Sequence, residues 1–271
     1  MSSVSGRHRV GLRIGFVFAF AGILLAFAPA GAITYGSLDT THPYVGAIIA
    51  DLSHVRPDIG IIEWCSGTLI APRVFLTAGH CTRALAAWGV PLDRIWVSFA
   101  RNIWDKPSSW RPIETYVTHP DYWWGPMSDP HDLAVVILAK PANGITPGRL
   151  APLGYLDELR DAGQLADATF VNVGYGSDEN GVVDGWRKIS YSSFKNLHDA
   201  WLYMSQNPHL GDGGTCYGDS GGPTFLDAGR GEVVVAVTSW GDAVCGSTNN
   251  NYRVDTASSL SFLADMMAAY P

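Results

Sequence analysis

The chain has 271 residues, 47% of them hydrophobic and only 16% charged, which excludes a disordered tail and allows the buried core of one or two domains. Its formal net charge is −7; the first 32 residues hold three of the 18 Lys and Arg and none of the 25 Asp and Glu, so the remainder carries 15 against 25, a net −10. That remainder has no cluster of basic residues, which argues against a nucleic-acid partner, because phosphate-backbone binding concentrates Lys and Arg on one face.

In chain order, residues 1–32 read as a secretory signal: Arg7, Arg9 and Arg13 precede an apolar run from Ile14 to Ala28, followed by small residues at Ala28, Ala30 and Ala32. The apolar run is short for a bilayer-spanning anchor, so cleavage after Ala30 or Ala32, secretion and no lasting membrane association are expected. An exported chain meets oxidising conditions, and Cys65, Cys81, Cys216 and Cys245 are then expected to form two disulfides, with three pairings open on counting alone.

Beyond the leader come short runs rich in Val, Ile, Thr and aromatics, bounded by Gly, Pro, Asn or Asp: Val45 to Ala50, Gly67 to Ile70, Arg94 to Phe99, Leu133 to Leu138, Thr169 to Val173 and Glu232 to Ser239. This is the pattern of an all-β protein. Pro141, Asn143, Gly144, Pro147, Gly148 and Pro152 mark a connection over 139–153 between two strand-rich halves, 33–145 and 146–271. The one long helix expected is C-terminal: Leu260, Phe262, Leu263, Met266 and Met267 recur at helical spacing from Ser258 to Ala269, with Ser258 or Thr256 as N-cap. Trp104, Trp110, Trp123 and Trp124 fit core and surface packing better than a binding groove, and the Cys245 to Tyr252 stretch with its three asparagines reads as a loop.

The chemistry is concentrated in Gly218-Asp219-Ser220-Gly221-Gly222-Pro223. A serine hydroxyl needs a base to become a nucleophile, and its attack on a carbonyl creates an oxyanion that needs donors already in place. Glycines beside the serine permit the tight turn that aims backbone N–H groups at that oxyanion. The stretch also satisfies the nucleophile elbow of α/β-hydrolases, but those enzymes place histidine after serine, and no histidine follows Ser220. The base is therefore sought upstream, at His80 in Leu76-Thr77-Ala78-Gly79-His80-Cys81, and the acid at Asp132 in His131-Asp132-Leu133-Ala134. His131 itself reads as an exposed neighbour. The order His, Asp, Ser is that of chymotrypsin and its relatives. His42, His54, His119, His198 and His209 show no zinc-ligand spacing, so no metal and no cofactor is expected.

These three motifs in this order resemble the chymotrypsin-like (trypsin-fold) serine peptidases, over essentially the whole chain after the leader. Cys65 to Ile70 is similar to the family's strand before the histidine, Ser239-Trp240-Gly241 to its substrate-binding strand, and Gly174-Tyr175-Gly176 stands where Gly-Trp-Gly is usual. The resemblance implies an all-β fold of two packed six-stranded antiparallel barrels with a C-terminal helix. It implies disulfides Cys65–Cys81 and Cys216–Cys245, closing loops of about 17 and 30 residues and worth about 3 to 4 kcal/mol each on a chain-entropy account. It implies a secreted endopeptidase in which Ser220 attacks, His80 moves the proton and Asp132 orients the imidazole, with Ser239 supporting Asp132 and an oxyanion hole from the N–H groups of Gly218 and Ser220. Protein or peptide substrates and proteinaceous inhibitors are the expected partners. Gly214, Thr215, Ser239, Trp240 and Gly241 are expected in the substrate-binding region. With no carboxylate at Gly214, the primary pocket is expected to prefer uncharged apolar or aromatic side chains, Arg or Lys specificity being the alternative if Asp212 reached it. Finally, Ile33-Thr34-Tyr35-Gly36 is similar to the family's activated start, implying an ion pair between the Ile33 amine and Asp219. A catalytically silent binding relative is the competing class.

Overall fold

The structure, a computed structural model, describes residues 33–123 and 126–271; the leader, its cleavage sites and Trp124 lie outside the described residues. Strands β2 (Val45–Asp51), β3 (Ile61–Leu69), β4 (Val74–Thr77), β5 (Ile95–Ser98), β6 (Arg111–Thr118) and β7 (Ala134–Leu138) close into a barrel in the order β2-β3-β4-β7-β6-β5. The apolar runs of β2 and β7 are buried on both faces. Because successive side chains of a strand point to opposite sides, Ile48, Ala50, Val136 and Leu138 fill the barrel interior with Phe75 and Val97. Val45, Ala47, Ile49, Val135 and Ile137 instead join a second cluster with Val173, Phe225, Val237 and Tyr252. That cluster is the seam between the two halves of the molecule.

The second barrel comprises β8 (Thr169–Gly174), β9 (Lys188–Leu197), β10 (Trp201–Ser205), β11 (Pro223–Leu226), β12 (Val233–Gly241) and β13 (Thr248–Arg253). Its order is β8-β9-β10-β13-β12-β11, and β11 and β9 both pair with β8 to close the ring. The ends of the chain tie the barrels together. Strand β1 (Ser37–Leu38) pairs with Ile189 and Lys188 of β9, so the first described residues, grouped by sequence with the first half, pack on the second barrel. The terminal helix α3 (Ala257–Ala269) leans Phe262 on His119, which follows β6 of the first barrel. Its N-cap is Thr256, whose hydroxyl accepts the Ser259 N–H, a contact typically worth about 1 kcal/mol.

Three local structures depart from the sequence expectation. Helix α1 (Gly79–Ala87) begins on the His80 motif and α2 (Tyr155–Asp161) lies in the connection between barrels; both are too short to show a helical period. Thr248 to Arg253 is a strand rather than a loop, and Asn249, Asn250 and Asn251 are buried. Asparagine is depleted in strands because its amide needs partners, and here Asn249 accepts from the Thr215 hydroxyl and Asn251 from that of Thr224. His131 is not an exposed neighbour: its ring stacks on His119 at 4.7 Å. Trp104 and Trp110 pack edge to face, the Trp110 indole donating to the Ile103 carbonyl, while Trp123 is exposed.

A buried charged cluster anchors the segment before β2. Arg187 donates to Asp39 at 2.8 Å, and His42 bridges Asp39 at 2.7 Å and Glu232 at 2.9 Å while stacking on Phe225. Burial works to lower the His42 pKa, but hydrogen bonds and charge from the two carboxylates outweigh it and raise it to about 9.

Candidate active site

The loop around Ser220 is shaped by two glycines with positive φ, Gly218 at 98° and Gly221 at 77°. A side chain at Gly218 would meet the Glu63 carboxylate at 2.4 Å and the Gly176 Cα at 2.8 Å; one at Gly221 would meet Thr77 Oγ1 at 2.1 Å. Both positions therefore need glycine on grounds of conformation and space. Within the loop, the N–H groups of Asp219, Gly221 and Gly222 are consumed by the carbonyls of Cys216, Thr238 and Asp219. Those of Gly218 and Ser220 have no acceptor among the described residues. Two backbone donors beside the Ser220 side chain are thus left free, as the sequence reading expects of an oxyanion hole.

His80 sits in the first turn of α1 and Asp132 immediately before β7, so strands β4 and β7, paired through Thr77 and Ala134, set their separation. The His80 N–H donates to Asp132 Oδ1 at 2.8 Å and the ring Nδ1 donates to Oδ2 at 2.9 Å. The hydroxyl of Ser239 also donates to Oδ2. Ser239 lies where the register of β12 against β13 shifts, an irregularity of the kind that re-aims a side chain. Burial opposes ionisation of Asp132, but the charge and hydrogen bond of His80, the Ser239 hydroxyl and the His80 N–H together hold its pKa below the ordinary carboxylate value. For His80 burial acts downward, and the Asp132 charge and hydrogen bond prevail, raising the imidazole pKa. With Nδ1 engaged, Nε2 is the ring nitrogen left free.

Ser220 stands between two cavities. One, of about 160 Å³, is bounded by His80, Trp64, Cys65, Cys81 and Ala84; the other, of about 220 Å³, by Thr215, Cys216, Tyr217, Thr238, Trp240 and Asp242 among others. The Ser220 hydroxyl is not hydrogen-bonded to His80 here, although both line the first cavity; such contacts commonly tighten only with substrate present. The cysteines pair as the resemblance implies, Cys65 with Cys81 and Cys216 with Cys245. Cys65, Cys81 and His80 lie close together, but the two sulfurs are bonded to each other and offer no thiolate, so this donor set does not fit a metal.

Of the expected substrate-binding residues, Thr215, Ser239, Trp240 and Gly241 line the larger cavity and Gly214 does not. Gly214 exchanges backbone hydrogen bonds with Thr34, and the space its Cβ would fill is taken by the Gln206 side chain at 2.1 Å. Asp212 points away: its Oδ1 accepts from the backbone and hydroxyl of Ser193. Tyr217 and Asp242 are lining residues that sequence reasoning passed over, although each adjoins a motif. Glu63 and Gln206 carried no signal at all, being ordinary strand and loop residues.

Asp219 is fully buried beneath the loop, its two oxygens accepting from the Gly176 and Cys216 N–H groups at 2.8 and 2.9 Å. Ile33 is also fully buried, yet among the described residues no ion pair or hydrogen bond joins it to Asp219. Burial pushes the Asp219 pKa up to about 7, against the lowering effect of those two N–H groups and of Lys188.

Two closed antiparallel barrels, a terminal helix and a serine beside a histidine–carboxylate pair define the class of double-barrel serine peptidases. The sequence model of the family described as Trypsin matches residues 52–263, and the chain belongs to that family. It is 25% identical over 227 residues to the CLIP domain-containing serine protease B15 of Anopheles gambiae, covering 77% of this chain and 61% of that protein. It is 28% identical over 259 residues to the mouse Kallikrein 1-related peptidase b27, covering 80% and 88%. It is 25% identical over 244 residues to Glucanase inhibitor protein 3 of Phytophthora infestans, covering 82% and 90%. The chain thus spans about three fifths of the length of the first of these relatives and most of the other two. Among the described residues no helix is long and apolar enough to cross a membrane.

Proposed function

We propose that this chain is a catalytically active, secreted serine endopeptidase that cleaves peptide bonds through an acyl-enzyme intermediate. The observation that carries the reading is the pair of unused N–H groups, on Gly218 and Ser220, that flank the nucleophile while every other N–H from Asp219 to Gly222 is occupied. A loop kept only for packing has no reason to leave those two donors free. Ser220 attacks the carbonyl, His80 Nε2 takes its proton and returns it to the leaving amine, and Asp132 stabilises the imidazolium. The pocket residues Thr215, Ser239, Trp240 and Gly241 receive the acyl-side residue, and residues 1–32 direct export. A second reading, a silent binding protein on the same fold, is favoured by one observation: a relative of similar coverage bears the name of an inhibitor. Labelling with a fluorophosphonate, followed by mass spectrometry of the modified peptide, separates the two. Modification at Ser220, absent in Ser220→Ala, supports the peptidase; an unlabelled Ser220 in folded protein supports the binding protein.

A further inference from the structure

Asp132 sits at the centre of a three-residue turn that two histidines hold from either side. The Leu133 N–H donates to the His131 carbonyl at 2.7 Å, and the Leu133 carbonyl accepts the His119 N–H at 2.9 Å. A hydrogen bond between residues i and i+2 makes a γ-turn, and His131 enters it with φ at 54°, a left-handed conformation uncommon for a residue with a side chain. Such a backbone persists only where its surroundings enforce it. Here the enforcement comes from the rings. That of His131 lies parallel to that of His119, 4.7 Å away with 6° between the planes. Both reach the Ser258 hydroxyl in the first turn of α3, His119 through Nε2 at 3.3 Å and His131 through Nδ1 at 3.2 Å, while Phe262 of the same helix packs on the His119 ring.

One backbone donor fixes the direction of these bonds. The Asp121 N–H points at His119 Nδ1 at 3.2 Å, so that nitrogen is bare and the ring hydrogen lies on Nε2. Nε2 then donates to Ser258 Oγ, and Ser258 turns its single hydrogen to His131 Nδ1, which is bare in its turn. The relay is complete only with both imidazoles neutral. The two rings differ in what a further proton would meet. On His119 it would face the Asp121 N–H, donor against donor; burial and the adjoining His131 ring accordingly hold the His119 pKa below 6.5, outweighing Asp121 and Asp129. On His131 it would oppose the Ser258 hydrogen but find Asp129 Oδ1 3.6 Å away. The remaining neighbours are Asp132 itself, next in the chain, and Tyr252 of β13, whose hydroxyl donates to Asp129 at 2.7 Å and lies 3.5 Å from His131 Nδ1.

We propose that His119, Ser258 and His131 form a neutral relay that positions Asp132, and that protonation of His131 in acid draws its ring from Ser258 toward Asp129, undoing the turn that aims the Asp132 carboxylate at His80. The inference rests on the peptidase reading above. All three are positioning residues, acting on the reaction only through Asp132. Activity then falls in acid through two protonations, of His80 and of His131, rather than one. The terminal helix gains a part beyond packing, because its first turn supplies the hydroxyl that joins the rings.

Two measurements test this. Long-range proton–nitrogen NMR of mature Ser220→Ala protein, which cannot digest itself, is expected to show His119 and His131 neutral at pH 7.5 with the hydrogen of each on Nε2; either ring charged, or carrying its hydrogen on Nδ1, overturns the relay. In active enzyme, the acid limb of log kcat/KM against pH is expected to steepen from a slope of about one toward about two as pH approaches 4.5, over the range in which tryptophan fluorescence stays that of the folded protein. In His131→Asn, whose Oδ1 accepts the Ser258 hydrogen but takes no proton, the slope returns to about one. His131→Ala, which lacks the acceptor, lowers kcat by about ten- to a hundredfold with KM little changed, and His131→Asn recovers most of that loss. A slope of one throughout in wild-type enzyme overturns the proposal, as does a second proton that persists in His131→Asn; if neither variant folds, the wild-type slope and the ring tautomers decide. Fluorophosphonate labelling of Ser220 in parallel separates the failures. A labelled enzyme with the wrong slope or tautomers refutes only the relay, whereas an unlabelled one refutes the peptidase reading and this proposal with it.

Discussion

Ser239 donates its hydroxyl hydrogen to Asp132 Oδ2, the same oxygen that receives the Nδ1 hydrogen of His80. A strand of the second barrel thus steadies the carboxylate held by the first, and the carboxylate in turn fixes the tautomer of the imidazole. Removing the members of this chain is expected to have graded effects. Ser220→Ala and His80→Ala abolish nearly all turnover, Asp132→Asn loses about 10⁴-fold by favouring the wrong tautomer, and Ser239→Ala, which deletes only a supporting hydrogen bond of about 1.5 to 3 kcal/mol to a charged group, loses about ten- to a hundredfold. Steady-state kcat on a peptide ester measures each; a Ser220→Ala enzyme with a tenth of wild-type activity would refute the mechanism.

The pH profile follows from the same pair. His80 must be neutral to accept the serine proton, and Asp132 raises its pKa above the ordinary 6.5. The acid limb of kcat/KM is therefore expected to have its midpoint above pH 6.5 in the free enzyme, and to move downward in Asp132→Asn, where the attracting charge is gone.

Gly218→Ala tests the oxyanion hole by steric means. The added methyl group would lie 2.4 Å from Glu63 Oε2 in a backbone conformation that side chains rarely adopt. Loss of one aligned donor typically lowers kcat by about 10² to 10³. The expected outcome is such a loss with KM little changed; a kcat within a factor of three of wild type would show that the Gly218 N–H is not a donor to the transition state.

Activation is expected to depend on Asp219. We propose that signal cleavage after Ala32 frees the amine of Ile33 to pair with this buried carboxylate, which has no cationic partner among the described residues and otherwise titrates near 7. Pairing raises the amine pKa above its free value of about 8, so the active form is present below that free value and lost as pH rises through the raised one. Asp219→Asn should leave a folded but nearly inactive protein, since removing one partner of a buried pair costs about 3 to 5 kcal/mol. N-terminal sequencing of the secreted active enzyme is the check: a first residue other than Ile33 sinks the idea.

The Asp39–His42–Glu232 cluster predicts a separate effect on stability. The folded-state pKa of His42 is raised from 6.5 to about 9, so the folded state binds the proton more tightly than the unfolded chain. This contribution is fully present below about pH 6.5 and is lost as pH rises through about 9. The melting temperature of Ser220→Ala protein, free of self-digestion, should fall between pH 7 and 9.5, and His42→Gln should flatten that decline. Parallel declines in the two proteins would assign the effect elsewhere.

The amino-acid sequence by itself determined what depends on residue type within short stretches. Export is inferred from a basic start and an apolar run, strands from Val- and Ile-rich segments such as 133–138, the terminal helix from its apolar spacing, and the candidate triad from three motifs whose order excludes an α/β-hydrolase. Such signals are local because covalent neighbours create them: a tight turn needs its glycines, and a helix its period. Only the tertiary structure decided which side chains meet across long separations. It carried residues 33–38 to the second barrel, converted an asparagine run into a buried strand by supplying Thr215 and Thr224 as partners, and kept Gly214 out of the cavity lining in which Thr215 takes part. Gln206 reaches Thr215 through a fold of the chain, and Glu63 comes to rest beneath Gly218 from another barrel. No spacing in the sequence encodes these contacts, because barrel closure and register, properties of the whole sheet, bring the groups together.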